Sequence, residues 1–114
     1  MTVSELINKT EKTAFSFEVL PPVKGTGTSS LFSTIDALKE FGPEYINITT
    51  HRSEYVYVEQ PDGTYLRHFV RRRPGTVAVA SAIMQKYGIK VVPHVVVSGM
   101  TKEDIEYMLL DLQF

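Results

Sequence analysis

The order of apolar and polar residues predicts strands that alternate with helices. Between residues 15 and 19 every second residue is apolar, a period of two that predicts a β-strand, and Pro21 ends it because proline cannot donate to a sheet ladder. Apolar residues then recur at helical spacing from Leu31 to Phe41, which predicts a helix with Ser29 or Ser30 as its N-cap. The first unit is therefore one strand followed by one helix.

This order recurs twice farther along the chain. Tyr45–Thr49 is predicted as a second strand and Val77–Tyr87 as a second helix, closed by Gly88. A third strand is expected over Ile89–Val92, and Thr101 is expected to cap a third helix with acids in its first turn. The predicted apolar face of that helix consists of Ile105, Met108, Leu109 and Leu112. Strands that alternate with helices imply right-handed crossovers and a parallel sheet, so the predicted fold class is α/β.

Three further features complete the predicted organisation. A short polar helix around Leu6 and Ile7 opens the chain, and two alternating segments around a Pro-Asp-Gly turn predict an inserted β-hairpin at about 53–70 that projects from the loop face. The chain stops at Phe114 inside or just after the third helix, without a capping signal. We therefore expect residues 1–114 to form a single incomplete domain of three βα units.

Composition and charge narrow the range of functions. Lys and Arg number 12 against 13 Asp and Glu, so no global field favours nucleic acid or an anionic membrane. The absence of cysteine excludes a disulfide framework, a thiolate metal site and a cysteine nucleophile, and no metal site is predicted. Charges at Glu5 and Lys9 fall where a signal peptide would be apolar. A soluble, cytoplasmic protein without membrane or nucleic-acid partners is expected.

Each predicted strand has a polar residue at its carboxyl end. Glu18 ends the first strand, Thr49 to His51 end the second, and His94 ends the third. Because the carboxyl ends of parallel strands lie at one edge of a sheet, where α/β folds place catalytic groups, we expect Glu18, Thr49 and His94 to converge. The position of these residues does not by itself identify a reaction. The same pattern would arise if Glu18 were a solvated acid at a strand end and His94 a core histidine hydrogen-bonded to the backbone.

A dense basic cluster lies just before the second long helix. Arg71–Arg73, with Arg67 and His68, either binds an anion or forms a solvated surface neutralised by Glu54 and Glu59. A nucleic-acid binder is a third hypothesis for the chain, resting only on Arg71–Arg73 and opposed by the balanced overall charge.

Several segments together resemble the amino-terminal third of methylenetetrahydrofolate reductase, a flavin-dependent (β/α)8 barrel of one-carbon metabolism and methionine biosynthesis. The resemblance rests on Phe15–Pro22, Tyr45–Thr50 and Val92–Val95 in that order, with close agreement over Ser33–Leu38 and the last helix. The first of these segments, with its phenylalanine, glutamate and two prolines, is the most specific. The chain would then form the first part of a TIM barrel.

The resemblance implies a role for each strand-end residue. Glu18 corresponds to the general acid that protonates a folate nitrogen, so that the ring opens to an iminium ion which reduced FAD then attacks with a hydride. Thr49 and Thr50 correspond to residues beside the flavin, and His94 to a flavin-contacting histidine. NADH or NADPH is the implied reductant, and a homo-oligomer is implied for the full-length protein. For Glu18 to hold its proton in the complete enzyme, we expect it to be buried in the barrel mouth beside Phe17 and the flavin.

The length of the chain bears on what it does by itself. A complete barrel takes roughly 250 residues and builds its site from loops after several strands. We therefore expect three βα units alone neither to hold FAD tightly nor to reduce folate. The alternative from another functional class is a non-catalytic α/β interaction module that self-associates through open sheet edges.

Overall fold

The computed structural model describes residues 2–9, 11–50 and 54–114. In chain order, its elements are α1 (Val3–Lys9), β1 (Ser16–Val19), α2 (Ser29–Leu38), β2 (Tyr45–Ile48), β3 (Glu54–Glu59), β4 (Tyr65–Val70), α3 (Thr76–Tyr87), β5 (Lys90–Pro93) and α4 (Lys102–Asp111). His51, predicted as a strand-end group, and Ser53, the predicted first residue of the hairpin, lie outside the described residues. The predicted order of elements is confirmed.

Strands β1, β2 and β5 form one parallel sheet in sequence order. In its register Glu18 lies opposite Asn47, which in turn lies opposite Val92. The α/β class and the parallel βα units are thus confirmed. Among the described residues the sheet is open, with β1 and β5 at its edges, and no closed barrel is formed.

The two faces of this sheet differ in chemistry because successive side chains of a strand point to opposite sides. One face carries the core, onto which α2 and α3 pack, with buried residues Val19, Leu31, Ile35, Ile46, Ile48, Val79 and Ile83. The opposite face places Ser16, Glu18 and Asn47 together by register. The apolar residues of α2 and α3 are used on the core face.

The exact ends of several elements differ from those predicted. Thr28, without a side-chain capping bond, is the N-cap of α2, so the prediction of Ser29 or Ser30 was wrong and both lie inside the helix. The α-helix ends at Leu38 and continues as a 3₁₀ turn to Gly42, whose φ of 63° suits glycine. Strand β2 ends at Ile48 and β5 extends to Pro93, since these two residues pair.

The predicted hairpin is confirmed as the antiparallel pair β3 and β4. Asp62 shapes its turn by accepting hydrogen bonds from the Thr64 amide at 2.9 Å and the Thr64 hydroxyl at 2.5 Å. The hairpin leaves Tyr57 and Tyr65 63% exposed. The radius of gyration is 17.5 Å, against about 13 Å for a compact chain of this length, so the chain is extended.

Helix α4 begins as predicted and differs in its burial. Thr101 and Asp104 form a capping box, with Glu103 and Asp104 as the acids of the first turn. Of the predicted apolar face, Ile105 and Met108 are half-buried, whereas Leu109 and Leu112 are 56% and 42% exposed. Within the described ranges no helix combines the length and the apolarity needed to cross a bilayer.

The capping box gives α4 a predicted dependence on pH. The backbone N–H of Thr101, and then its hydroxyl, hold the pKa of Asp104 below the ordinary value of an aspartate. A carboxylate with a lowered folded-state pKa stabilises the helix above its unfolded-state pKa, and this support is lost as the pH falls through the folded value. We expect the NMR shifts of the first-turn amides of α4 to leave helical values below about pH 4. In Asp104→Asn this transition should vanish; its persistence would contradict the assignment.

Candidate active site

The candidate site is the edge of the sheet where β1, β2 and β5 end. Glu18 is the third residue of β1, Thr49 and Thr50 follow β2 directly, and His94 follows β5 directly. The amide of Thr49 donates to the carbonyl of Val19 at 3.1 Å, which ties the ends of β1 and β2 together. Glu18, Thr49 and His94 therefore lie at one edge of the sheet, as parallel order requires.

Glu18 is accessible at this edge. Its side chain is exposed, and no hydrogen-bond partner is present for it among the described residues. Phe17 points to the other side of β1, where its ring stacks edge-on against Phe15 at 5.8 Å and Phe41 at 6.2 Å between centroids. Glu18 is exposed in this chain, and the burial expected for it in the complete enzyme stays a prediction.

Asn47 connects the polar groups of two strands, a role that the sequence analysis missed. Its Nδ2 lies 3.4 Å from the hydroxyl of Ser16, and its Oδ1 lies 3.4 Å from Nε2 of His94. Both distances are long for hydrogen bonds. In the sequence, Asn47 lies between Ile46 and Ile48, so the alternation in β2 indicated that its side chain points away from the core. The register then places it on the same face as Glu18.

The backbone of His94 is held at both of its polar groups. Its N–H donates to the carbonyl of Ile48 at 2.8 Å. Its carbonyl accepts from the hydroxyl of Thr50 at 2.5 Å and from that of Thr76 at 2.8 Å. Thr76, the buried first residue of α3, was not foreseen, and α3 begins one residue before the prediction.

These bonds bear on the two threonines after β2. The hydroxyl of Thr50 donates its one hydrogen to the carbonyl of His94, so the hydroxyl oxygen can take part in further hydrogen bonds only as an acceptor. The hydroxyl of Thr49 has no partner among the described residues and is free to donate or accept. A ligand at this edge would therefore meet two threonines of different hydrogen-bonding capacity.

A cleft of about 1040 Å³ opens beside the strand ends. Thr50, Thr76 and His94 line one side, and Arg71–Arg73 line another. The arginine segment is tied to the loop after β1, because Arg73 donates to the carbonyl of Pro21 and the Arg72 carbonyl accepts from the Lys24 amide at 2.6 Å. Arg71–Arg73 thus lie next to the candidate site.

The comparison with protein families decides what this edge of the sheet belongs to. Residues 2–113 match the family model described as Methylenetetrahydrofolate reductase. The chain belongs to this family. The resemblance seen in the sequence is therefore confirmed, and membership of the methylenetetrahydrofolate reductase family implies reduction of methylenetetrahydrofolate, an oxidoreductase reaction of one-carbon metabolism. No curated protein and no solved structure matched the chain.

Methylenetetrahydrofolate reductases in general use FAD and NAD(P)H. The groups at the strand ends suit a flavin ring, whose edge carries both N–H and C=O groups: a hydroxyl from Thr49, an acceptor oxygen from Thr50 and an imidazole from His94. All three are polar side chains at one edge of the sheet. The residues present therefore fit the cofactor that the family uses.

Proposed function

We propose that this chain supplies the general acid and part of the flavin site for the reduction of 5,10-methylenetetrahydrofolate to 5-methyltetrahydrofolate by NADH or NADPH. The observation that carries the proposal is the family match over residues 2–113. The matched range includes the ends of β1, β2 and β5, which form the polar edge of the sheet. Glu18, Thr49 and His94 occur there on three adjacent parallel strands. One ligand can therefore reach all three.

Glu18 is proposed as the acid that protonates the folate nitrogen. Proton transfer lets the carbon–nitrogen bond of the folate ring break, leaving an iminium carbon ready for reduction. The exposed carboxyl group, without a partner among the described residues, is accessible to such a substrate. A general acid near neutral pH needs an environment that favours its protonated form, and we expect the bound flavin and folate to cover Glu18 in the complete enzyme.

Thr49, Thr50 and His94 are proposed to hold FAD. When bound, FAD supplies the hydride for the reaction. Thr49 offers an uncommitted hydroxyl, Thr50 an acceptor oxygen and His94 a ring nitrogen. Hydrogen bonds from the His94 backbone to Ile48, Thr50 and Thr76 fix the point from which its side chain extends at the end of β5.

The cofactor assignment is tested by replacing His94 in an active reductase that contains this chain. We expect His94→Leu to lower FAD affinity about tenfold, because one hydrogen bond to the ligand is lost and a polar edge becomes apolar. Flavin absorbance after purification and fluorescence titration with FAD measure the effect.

Asn8→Leu is the control, since it replaces the polar side chain of an exposed residue of α1, away from the strand ends and from the basic cluster. It should leave FAD affinity unchanged. Equal FAD affinities for His94→Leu and the unaltered protein would show that His94 does not contact the cofactor.

A second function, self-association as a non-catalytic module, is favoured by one observation. Helix α4 leaves Tyr107, Leu109 and Leu110 between 53% and 65% exposed, and β1 and β5 are edge strands within the described sheet. A protein containing this chain that forms stable oligomers and never takes up flavin would support the module over the reductase.

A further inference from the structure

We propose that Asn47 is a positioning residue that sets the tautomer and orientation of the His94 ring. In this arrangement Nε2 of His94 carries the proton and faces Asn47, and Nδ1 is left as an acceptor for a ligand. The ligand part of this inference rests on the proposed function. The tautomer part rests on the geometry of this chain alone.

The first step is the restraint on His94. Its backbone is bonded through both N–H and C=O to β2 and to the first residue of α3. Only the side-chain torsions remain free, and the ring has one side-chain hydrogen-bond partner among the described residues, Oδ1 of Asn47 at 3.4 Å. Asn47 is therefore the described side chain whose hydrogen bond can fix the orientation of the His94 ring.

The second step is the rigidity of Asn47. It lies on the central strand of the sheet, between Ile46 and Ile48, which are both fully buried. Its own amide is restrained by Ser16, whose hydroxyl lies 3.4 Å from Nδ2. A side chain on such a strand holds a neighbour more closely than one on a loop does.

The third step is the chemistry of the amide. With Nδ2 donating to Ser16, the group that faces His94 is the carbonyl oxygen, which only accepts. Nε2 of His94 must then be the donor, and a neutral imidazole has only one N–H, so Nδ1 keeps a lone pair. A ligand that binds at Nδ1 must therefore present an N–H or O–H donor to it. Both long contacts are expected to shorten on binding, as hydrogen bonds in ligand-free sites often do.

The test is ¹⁵N NMR of the His94 ring in the 114-residue chain, at a pH where the ring is neutral. The unaltered protein should show a protonated Nε2 and an unprotonated Nδ1. In Asn47→Leu, which removes the acceptor, both nitrogen signals should move toward those of a free histidine. In Asn47→Asp, whose carboxylate only accepts, the protonated Nε2 should be retained.

Asn8→Leu is the matched control, because Asn8 is an exposed residue of α1. It should leave the His94 signals unchanged. A protonated Nδ1 in the unaltered protein would overturn the proposal, as would unchanged ring signals in Asn47→Leu. Should Asn47→Leu fail to fold, loss of the protonated Nε2 in Asn47→Asp overturns it equally.

FAD titration of an active reductase containing this chain separates the two parts. Asn47→Leu should weaken FAD affinity about tenfold, with Asn8→Leu unchanged. Unchanged FAD affinity in Asn47→Leu would overturn the ligand part. Failure of the unaltered reductase to bind FAD would overturn the proposed function, whereas the NMR result stands independently of it.

Discussion

Replacing Glu18 by Gln is expected to slow the reduction of methylenetetrahydrofolate by roughly 10²- to 10⁴-fold, the range typical of a lost general acid. Glutamine keeps the size of the side chain and removes the proton that the folate nitrogen must receive. Because NAD(P)H reduces the flavin without that proton, the nicotinamide half-reaction should persist. Stopped-flow measurement of each half-reaction, in an active reductase that contains this chain, checks the expectation.

Glu40→Gln is the matched control for this experiment. Glu40 is an exposed glutamate in the 3₁₀ turn after α2, outside the polar edge. Both half-reactions should keep their rates in this variant. If Glu18→Gln instead lost flavin reduction and kept folate reduction, Glu18 would serve the nicotinamide half-reaction, and its proposed role would be wrong.

Replacing Ile35 by Ala is expected to lower the free energy of unfolding by about 2–5 kcal/mol, the usual cost of truncating a buried isoleucine. Ile35 lies on α2 with no exposed surface, among the small set of buried residues that hold α2 and α3 to the sheet. Small domains have only about 5–15 kcal/mol of net stability. Urea unfolding followed by circular dichroism should therefore show a large shift of the midpoint.

Ile7→Ala is the control, since it makes the same change on a helix where the side chain is 43% exposed. Its unfolding free energy should change by no more than about 0.5 kcal/mol. Equal midpoints for the two variants would mean that the packing of α2 on the sheet does not support the fold.

Much of the fold was predictable because its signals are local. The period-two pattern of residues 15–19 and the helical spacing from Leu31 to Phe41 each depend on residues close in sequence. The hairpin turn and the capping box at Thr101 are likewise local, and both were confirmed. The N-cap of α2 was not predicted correctly, because adjacent Thr28, Ser29 and Ser30 are chemically similar candidates.

The burial of side chains on α4 could not be predicted from local sequence patterns. Its spacing predicts an apolar face, and the helix forms, yet Leu109 and Leu112 remain exposed. Spacing states which side chains share a face of a helix, whereas burial depends on what packs against that face. The exposure of Glu18 has the same origin, since the alternation in β1 states which face of the sheet Glu18 is on and not what packs there.

The sequence by itself determined the α/β class, the family and the strand-end positions of Glu18, Thr49 and His94, because element order and short motifs are read along the chain. Tertiary structure alone decided the contacts of His94. Asn47 and His94 are 47 residues apart, and sheet register brings them together. Thr76 reaches the His94 carbonyl because α3 packs on the sheet beside β5. Such contacts depend on the pairing of distant segments, for which residue spacing carries no signal.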